Sequence, residues 1–178
     1  MFYFMQIFDI PAKRGYKAIM IAEDFRELTQ LLIDRNISVA TMESCTSGLV
    51  ASLITDTEGA SAVFRGAFVT YGNEAKIRCG VSGETIEKYG VYSGETAAEM
   101  ACACRERFGA DIGIGITGTF GNADPANPEG VPGQVFYAIN YRGRTADFFI
   151  GIPPLPSRND YKMYTAEQVC RSLRLLLS

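Results

Sequence analysis

The chain has 178 residues, 47% of them hydrophobic, with 17 Lys and Arg against 20 Asp and Glu for a formal net charge of −3. That suits one globular domain with a real core, and it excludes a nucleic-acid partner, which would call for a clustered basic face. There is no His, which excludes Ser-His-Asp sites, Cys-His sites and His-based zinc sites, so any acid–base chemistry falls to Lys, Tyr, Asp, Glu or Cys.

Residues 1–10 are apolar and aromatic, but the run is short, lacks a basic leading region and is interrupted by Asp9. It is not read as a signal peptide, and no run in the chain reaches membrane-spanning length, so a cytoplasmic protein is expected. Residues 1–21 are read as an extra strand or arm that packs on the domain or on a partner subunit, which leaves a homo-oligomer open. Residues 22–178 are read as the domain.

From 22 to 35, Phe25, Leu28, Leu31 and Leu32 recur at helical spacing with charges on the other face. A short buried strand follows over 38–42, then a helix over 46–55. Ser44 therefore falls where a strand passes into a helix. Residues 62–71 are β-branched and aromatic, predicting a strand. One or two helical turns follow over 73–78, and a short helix over 82–89 closes at Gly90. Ser93 caps a longer helix through Phe108, with Glu95 near its positive end and Gly109 after it.

Residues 111–117 alternate Ile with Gly, which suits a central strand approached closely by other backbone. The loop over 118–133, rich in Gly, Pro, Asn and Asp, is long enough to be functional. Strands over 134–141 and 145–150 meet at a hairpin turn over 142–144. Pro153, Pro154 and Pro156 mark a loop, and an amphipathic helix over 160–177 closes the chain. The alternation predicts a single three-layer α/β/α domain with a mostly parallel, mixed sheet.

Ser44 is the first candidate for chemistry. At the mouth of a helix its hydroxyl would lie near the free amides of Thr46, Ser47 and Gly48, which can stabilise an oxyanion or hold a phosphate. Ordinary N-capping by Ser44 or Thr46 is the plain alternative. Lys76 is the second candidate. A lysine can deprotonate a serine hydroxyl where no imidazole exists, and Tyr71, at the end of a strand, could relay a proton or orient it. A surface lysine beside a half-buried tyrosine is the competing reading. Thr117 and Gly118, at the end of the Gly-rich strand, offer a hydroxyl and amides for an anion.

Cys45 competes with Ser44 as nucleophile but has no imidazole to pair with, and in a turn only one of the two side chains faces a pocket. The five cysteines are odd in number and form no C-x-x-C, so they are read as reduced packing groups. Asp124 and Glu129 read as solvated turn residues, and no metal site is expected.

Three stretches carry a resemblance. Thr41-Met-Glu-Ser-Cys-Thr-Ser-Gly48 resembles T-A-E-S-C-T-G-G, Phe68-Val-Thr-Tyr-Gly-Asn-Glu-Ala-Lys76 resembles F-V-T-Y-S-N-E-A-K, and Gly109-Ala-Asp-Ile-Gly-Ile-Gly-Ile-Thr-Gly118 is similar to G-A-D-x-x-x-x-x-T-G. These motifs belong to the C-terminal domain of CinA, the competence/damage-inducible protein, and the resemblance runs from about residue 22 to the C-terminus. Stand-alone members of that family are nicotinamide mononucleotide deamidases. The resemblance implies a cofactor-free amidohydrolase acting on a small-molecule nucleotide, with Ser44 as nucleophile, Lys76 as base and Tyr71 assisting. It further implies that Thr117 and nearby amides line the site and that Arg158, before the last helix, holds the phosphate bidentately. Departures from the family pattern are Ser47 for a glycine, Gly72 for a serine, and residues 119–128 for the usual I-A-G-P-G-G-G run. The altered loop keeps open a different class of function, a catalytically silent nucleotide-binding or adaptor module.

Overall fold

The computed structural model describes residues 14–121, 127–128 and 130–178. The expected arm lies outside them as far as residue 13, as do Asp124, Glu129 and half of the altered loop, residues 122–126. Residues 14–21 are helical, continuous with the first predicted helix.

In chain order the elements are α1 (Arg14–Asp34), β1 (Val39–Glu43), α2 (Leu49–Thr55), β2 (Phe64–Val69), α3 (Asn73–Arg78), α4 (Gly83–Tyr89), α5 (Gly94–Phe108), β3 (Ile112–Gly118), β4 (Gln134–Tyr141), β5 (Arg144–Gly151) and α6 (Arg158–Leu177). A single 3-10 turn, Ala60–Ala62, precedes β2. The strands form one mixed sheet in the order β2-β1-β3-β4-β5. β1 runs parallel to both β2 and β3, whereas β4 runs antiparallel to its two neighbours, β3 and β5. Among the described residues no helix is long and apolar enough to cross a membrane.

Period-two alternation assigns the layers. Ile112, Ile114 and Ile116 of β3 point into one core with Phe25, Leu28 and Leu32 of α1, Val50 and Ile54 of α2, and Val169 and Leu173 of α6. The opposite face of β1, with Ala40 and Met42, meets Met100 and Cys104 of α5. The alternating glycines of β3 face α5 as well. A Cβ on Gly113 would overlap the Ala101 carbonyl, and one on Gly115 the Ala97 carbonyl. Glycine here is a clearance requirement: α5 lies directly on the strand backbone, with its own Ala97 and Ala101 at the contact.

Local signals place the element ends. Ser93 accepts the Thr96 amide as the α5 cap, and Gly109 ends that helix with φ 60°. The β4–β5 hairpin turns through Arg142 and Gly143, both at positive φ, as a two-residue turn of the type that matches strand twist. At the start of the parallel pair, Asp111 accepts the Ser38 amide at 3.0 Å and the Ser38 hydroxyl at 2.9 Å. This clamp ties the entries of β1 and β3 together.

Two consequences can be measured. Gly115→Ala should destabilise the fold by about 3 kcal/mol or more, because the overlap is with helix backbone and cannot be relieved by a side-chain rotation; chemical denaturation reads it, and a loss under about 1 kcal/mol contradicts the close contact. The Asp111 carboxyl is held below the usual carboxylate range, chiefly by the Ser38 amide. A depressed pKa stabilises the fold above the group's unfolded pKa, and the contribution is lost as pH falls through the folded one. Asp111→Asn should therefore cost about 1 kcal/mol at neutral pH, with the gap to wild type closing in acid. A gap that stays constant with pH would contradict the clamp.

Candidate active site

β1 and β2 end level, while β3 runs on to Gly118. Glu43 of β1 is in register with Val69 of β2 and with Ile116 of β3. The next residues are stitched across the ends: the Ser44 amide donates to the Ile116 carbonyl at 2.9 Å, and the Thr70 amide to the Glu43 carbonyl at 2.8 Å. From there the chain leaves β1 toward α2 on one face and leaves β2 toward α3, α4 and α5 on the other. Such a divergence opens a crevice at the carboxyl ends of parallel strands.

Ser44 sits at that crevice, but not on a helix mouth. The helix expected from residue 46 begins at Leu49, after a turn over 44–48. The backbone is the reason: Ser47 has φ 53° and Gly48 φ 89°, both left-handed and incompatible with a right-handed helix. The N-cap is Gly48, without a side-chain cap, so neither Ser44 nor Thr46 is a capping residue. The expected set of free amides changes accordingly. The Gly48 amide donates to Glu43, and the Ser47 amide closes the turn on the Ser44 carbonyl at 3.1 Å. Among the described backbone hydrogen bonds, the amides of Cys45 and Thr46 donate to no carbonyl. The Ser47 side chain, an addition relative to the family motif, is exposed.

Lys76 is buried, at 1% exposure, although its neighbours Glu74 and Arg78 on the short helix α3 are exposed. Its amine lies 3.1 Å from the Ser44 Oγ and donates to the Thr70 carbonyl at 2.9 Å. The surface-lysine reading therefore fails. Ser44 is itself buried, so the pair is shielded from bulk water.

Tyr71 is placed differently. It is 63% exposed, and its phenol oxygen accepts from the Arg158 guanidinium at 3.2 Å. Tyr71 and Arg158 thus form a rim pair rather than an extension of the Ser44–Lys76 contact. Beneath them Phe120 stacks on Tyr161 with ring centroids 5.3 Å apart, and the Arg158 guanidinium lies 5.9 Å from the Phe120 ring centre. On the opposite side the Asn73 amide donates to the Asn127 side-chain oxygen at 3.0 Å, pinning the 118–133 loop against the start of α3.

Thr117 and Gly118 adjoin Ser44 through the β1–β3 pairing but serve the framework. The Thr117 hydroxyl donates to the Val91 carbonyl at 2.9 Å. Gly118 gives clearance to β4, where a Cβ would approach the Gln134 carbonyl to 2.6 Å. Cys45 turns the other way from Ser44, into the hydrophobic core. Burial pushes its thiol up to about 12, so it holds almost no thiolate at neutral pH. No cluster of metal-ligating side chains occurs among the described residues.

Sequence reasoning missed Glu43, Thr70 and the Asn73–Asn127 link. Only Glu43 left a readable signal: a carboxylate at the end of an otherwise uncharged buried strand, which demands partners. The Thr70 carbonyl and the Asn–Asn contact are products of tertiary packing.

Residues 23–177 match the CinA C-terminal domain family. A CinA-like protein from Kosmotoga olearia is 39% identical over 169 residues, covering 92% of this chain and 41% of its own length. Another, from Chlorobaculum tepidum, is 45% identical over 126 residues, covering 68% of this chain and 30% of its own. The chain thus spans well under half the length of these relatives. Among solved structures, the competence/damage inducible protein CihA from Agrobacterium tumefaciens superposes with a TM-score of 0.81 at 28% identity, covering 97% of this chain and 100% of that one. The competence or damage-inducible protein from Enterobacter asburiae gives 0.82 at 28% identity, covering 89% and 98%. The family match, the sequence identities and the superposed folds agree, and the chain belongs to the CinA C-terminal domain family.

Proposed function

We propose that this chain is a cytoplasmic, cofactor-free amidohydrolase that cleaves the carboxamide of nicotinamide mononucleotide to nicotinate mononucleotide and ammonia. The observation that carries the reading is the buried 3.1 Å contact between the Lys76 amine and the Ser44 hydroxyl, in a chain with no histidine. A neutral amine that donates one N–H to the Thr70 carbonyl keeps its lone pair for the serine proton.

In this mechanism Ser44 Oγ attacks the carboxamide carbon while Lys76 takes the hydroxyl proton. The carbonyl oxygen becomes an oxyanion in the tetrahedral adduct. Collapse of the tetrahedral adduct breaks the C–N bond. The leaving nitrogen takes the proton back from Lys76 and departs as ammonia, leaving an acyl-serine ester. A water molecule, deprotonated by Lys76, hydrolyses that ester and restores Ser44. Arg158 offers a bidentate donor to the substrate phosphate at the rim, and Tyr71 holds its guanidinium there.

Ammonia release from nicotinamide mononucleotide tests the proposal. Ser44→Ala should lower the rate at least about a thousandfold with folding intact, and turnover undiminished in that variant rules the assignment out. The base must be unprotonated, so the wild-type rate should rise with pH through the Lys76 titration. That limb should vanish with the activity in Lys76→Arg, which cannot give up its proton. Cys45 provides the counter-test. With its thiol pushed up to about 12, iodoacetamide at mildly alkaline pH should leave it unmodified and the activity intact. Inactivation by alkylation at Cys45 would favour a cysteine enzyme instead.

A further inference from the structure

Glu43 immediately precedes Ser44 and is fully buried, at 0% exposure. Its carboxylate accepts four hydrogen bonds. The Gly48 amide donates at 3.0 Å and the Val50 amide at 3.2 Å to Oε2, while the Ala51 amide at 2.9 Å and the Thr41 hydroxyl at 3.2 Å donate to Oε1. Both oxygens are committed, so the group is not placed to exchange protons with a substrate. Three of its four donors are the amides that open α2, which the chain reaches only after the turn that carries Ser44.

The carboxylate therefore closes a loop on its own sequence: residue 43 holds residues 48, 50 and 51, and the intervening segment has one way to run. That segment includes Ser47 at φ 53°, a conformation a side-chain-bearing residue adopts when its surroundings impose it. At the near end the Ser44 amide is tied to β3 through the Ile116 carbonyl. With both ends held, the Ser44 hydroxyl is delivered to the Lys76 amine, which is fixed independently by the Thr70 carbonyl.

We infer that Glu43 is a positioning residue: its carboxylate, clamped by the amides of Gly48, Val50 and Ala51, sets the geometry of the Ser44 turn and hence the reactivity of Ser44, not the affinity for substrate. The inference rests on Ser44 being the nucleophile but not on which amide is cleaved. Replacing the carboxylate by a carboxamide turns one acceptor into a donor facing N–H groups, and misplacing a reacting group by about 1 Å costs on the order of a hundredfold in rate.

The test measures Ser44 labelling by a fluorophosphonate probe, read by intact mass, beside ammonia release from nicotinamide mononucleotide. Glu43→Gln should label about a hundredfold more slowly than wild type. Its kcat should fall in parallel while KM stays within about twofold, and hydrogen exchange should quicken at the amides of Gly48, Val50 and Ala51. A merely structural role would lower the melting temperature yet leave labelling per folded molecule and kcat unchanged, and that result overturns the inference. Should Glu43→Gln not fold, Thr41→Val carries the test. It removes one of the four donors without changing side-chain volume and should slow labelling about threefold, the weight of one modest hydrogen bond; a wild-type labelling rate there overturns the inference. If wild type labels at Ser44 but releases no ammonia from the nucleotide, the substrate assignment fails while the positioning role is still decided by the labelling rates. A wild-type Ser44 that does not label overturns both.

Discussion

An amine enclosed by protein has lost its water and must find acceptors inside. The Thr70 carbonyl and the Ser44 hydroxyl are among the groups that hold Lys76, and they belong to the ends of two different strands. That requirement binds α3 to the tips of β2 and β1. It is met because β1 and β2 finish level, with Thr70 hydrogen-bonded to Glu43 and Ser44 to Ile116 of β3. A slip of one residue in either ladder would turn these groups to opposite faces of the sheet and separate the pair.

The sheet can hold that register because it is packed tightly from both sides. On one face the isoleucines of β3 fill the core beneath α1, α2 and α6. On the other, two glycines let α5 sit against the strand itself. Helices on both faces force the chain to leave β1 and β2 in opposite directions, and the crevice between them is where Ser44 and Lys76 meet. The antiparallel half, β4 and β5, contributes no catalytic candidate. It completes the sheet and, through the long connection from β3, brings Phe120 and Asn127 to the rim, where Tyr161 and Asn73 receive them.

Charge is used sparingly inside this framework. Two buried charge-bearing side chains beside the serine face different partners: Lys76 meets a carbonyl and a hydroxyl, and Glu43 accepts from three backbone amides and a hydroxyl. Each is satisfied by groups whose positions the sheet has already set, so each transmits that order to Ser44. Cys45, adjacent in sequence, turns into the hydrophobic core instead, and burial keeps its thiol protonated.

Much of the architecture was legible from local pattern, because local pattern has local causes. Helical spacing marked α1, α5 and α6. The Ile–Gly alternation marked β3 and its intimate neighbour, and Ser93, Gly109 and the Arg142–Gly143 pair marked their own caps and turn. The absence of histidine left Lys, Tyr, Asp, Glu and Cys as candidate bases, and the motifs around Ser44 and Lys76 pointed to the family and, through it, to the lysine. The start of α2 differs from expectation because Ser47 takes a left-handed backbone; the one local hint was the glycine that the family motif carries at this position. Tyr71, close to Lys76 in sequence, was paired with it in expectation, yet packing of α6 against the sheet end put Arg158 within its reach. By itself, then, the sequence determined the residue types available for chemistry and the elements that carry them. The tertiary structure alone decided which side chains meet, since the 3.1 Å approach of Ser44 and Lys76 depends on ladder register between strands, a relation that no single stretch of chain contains.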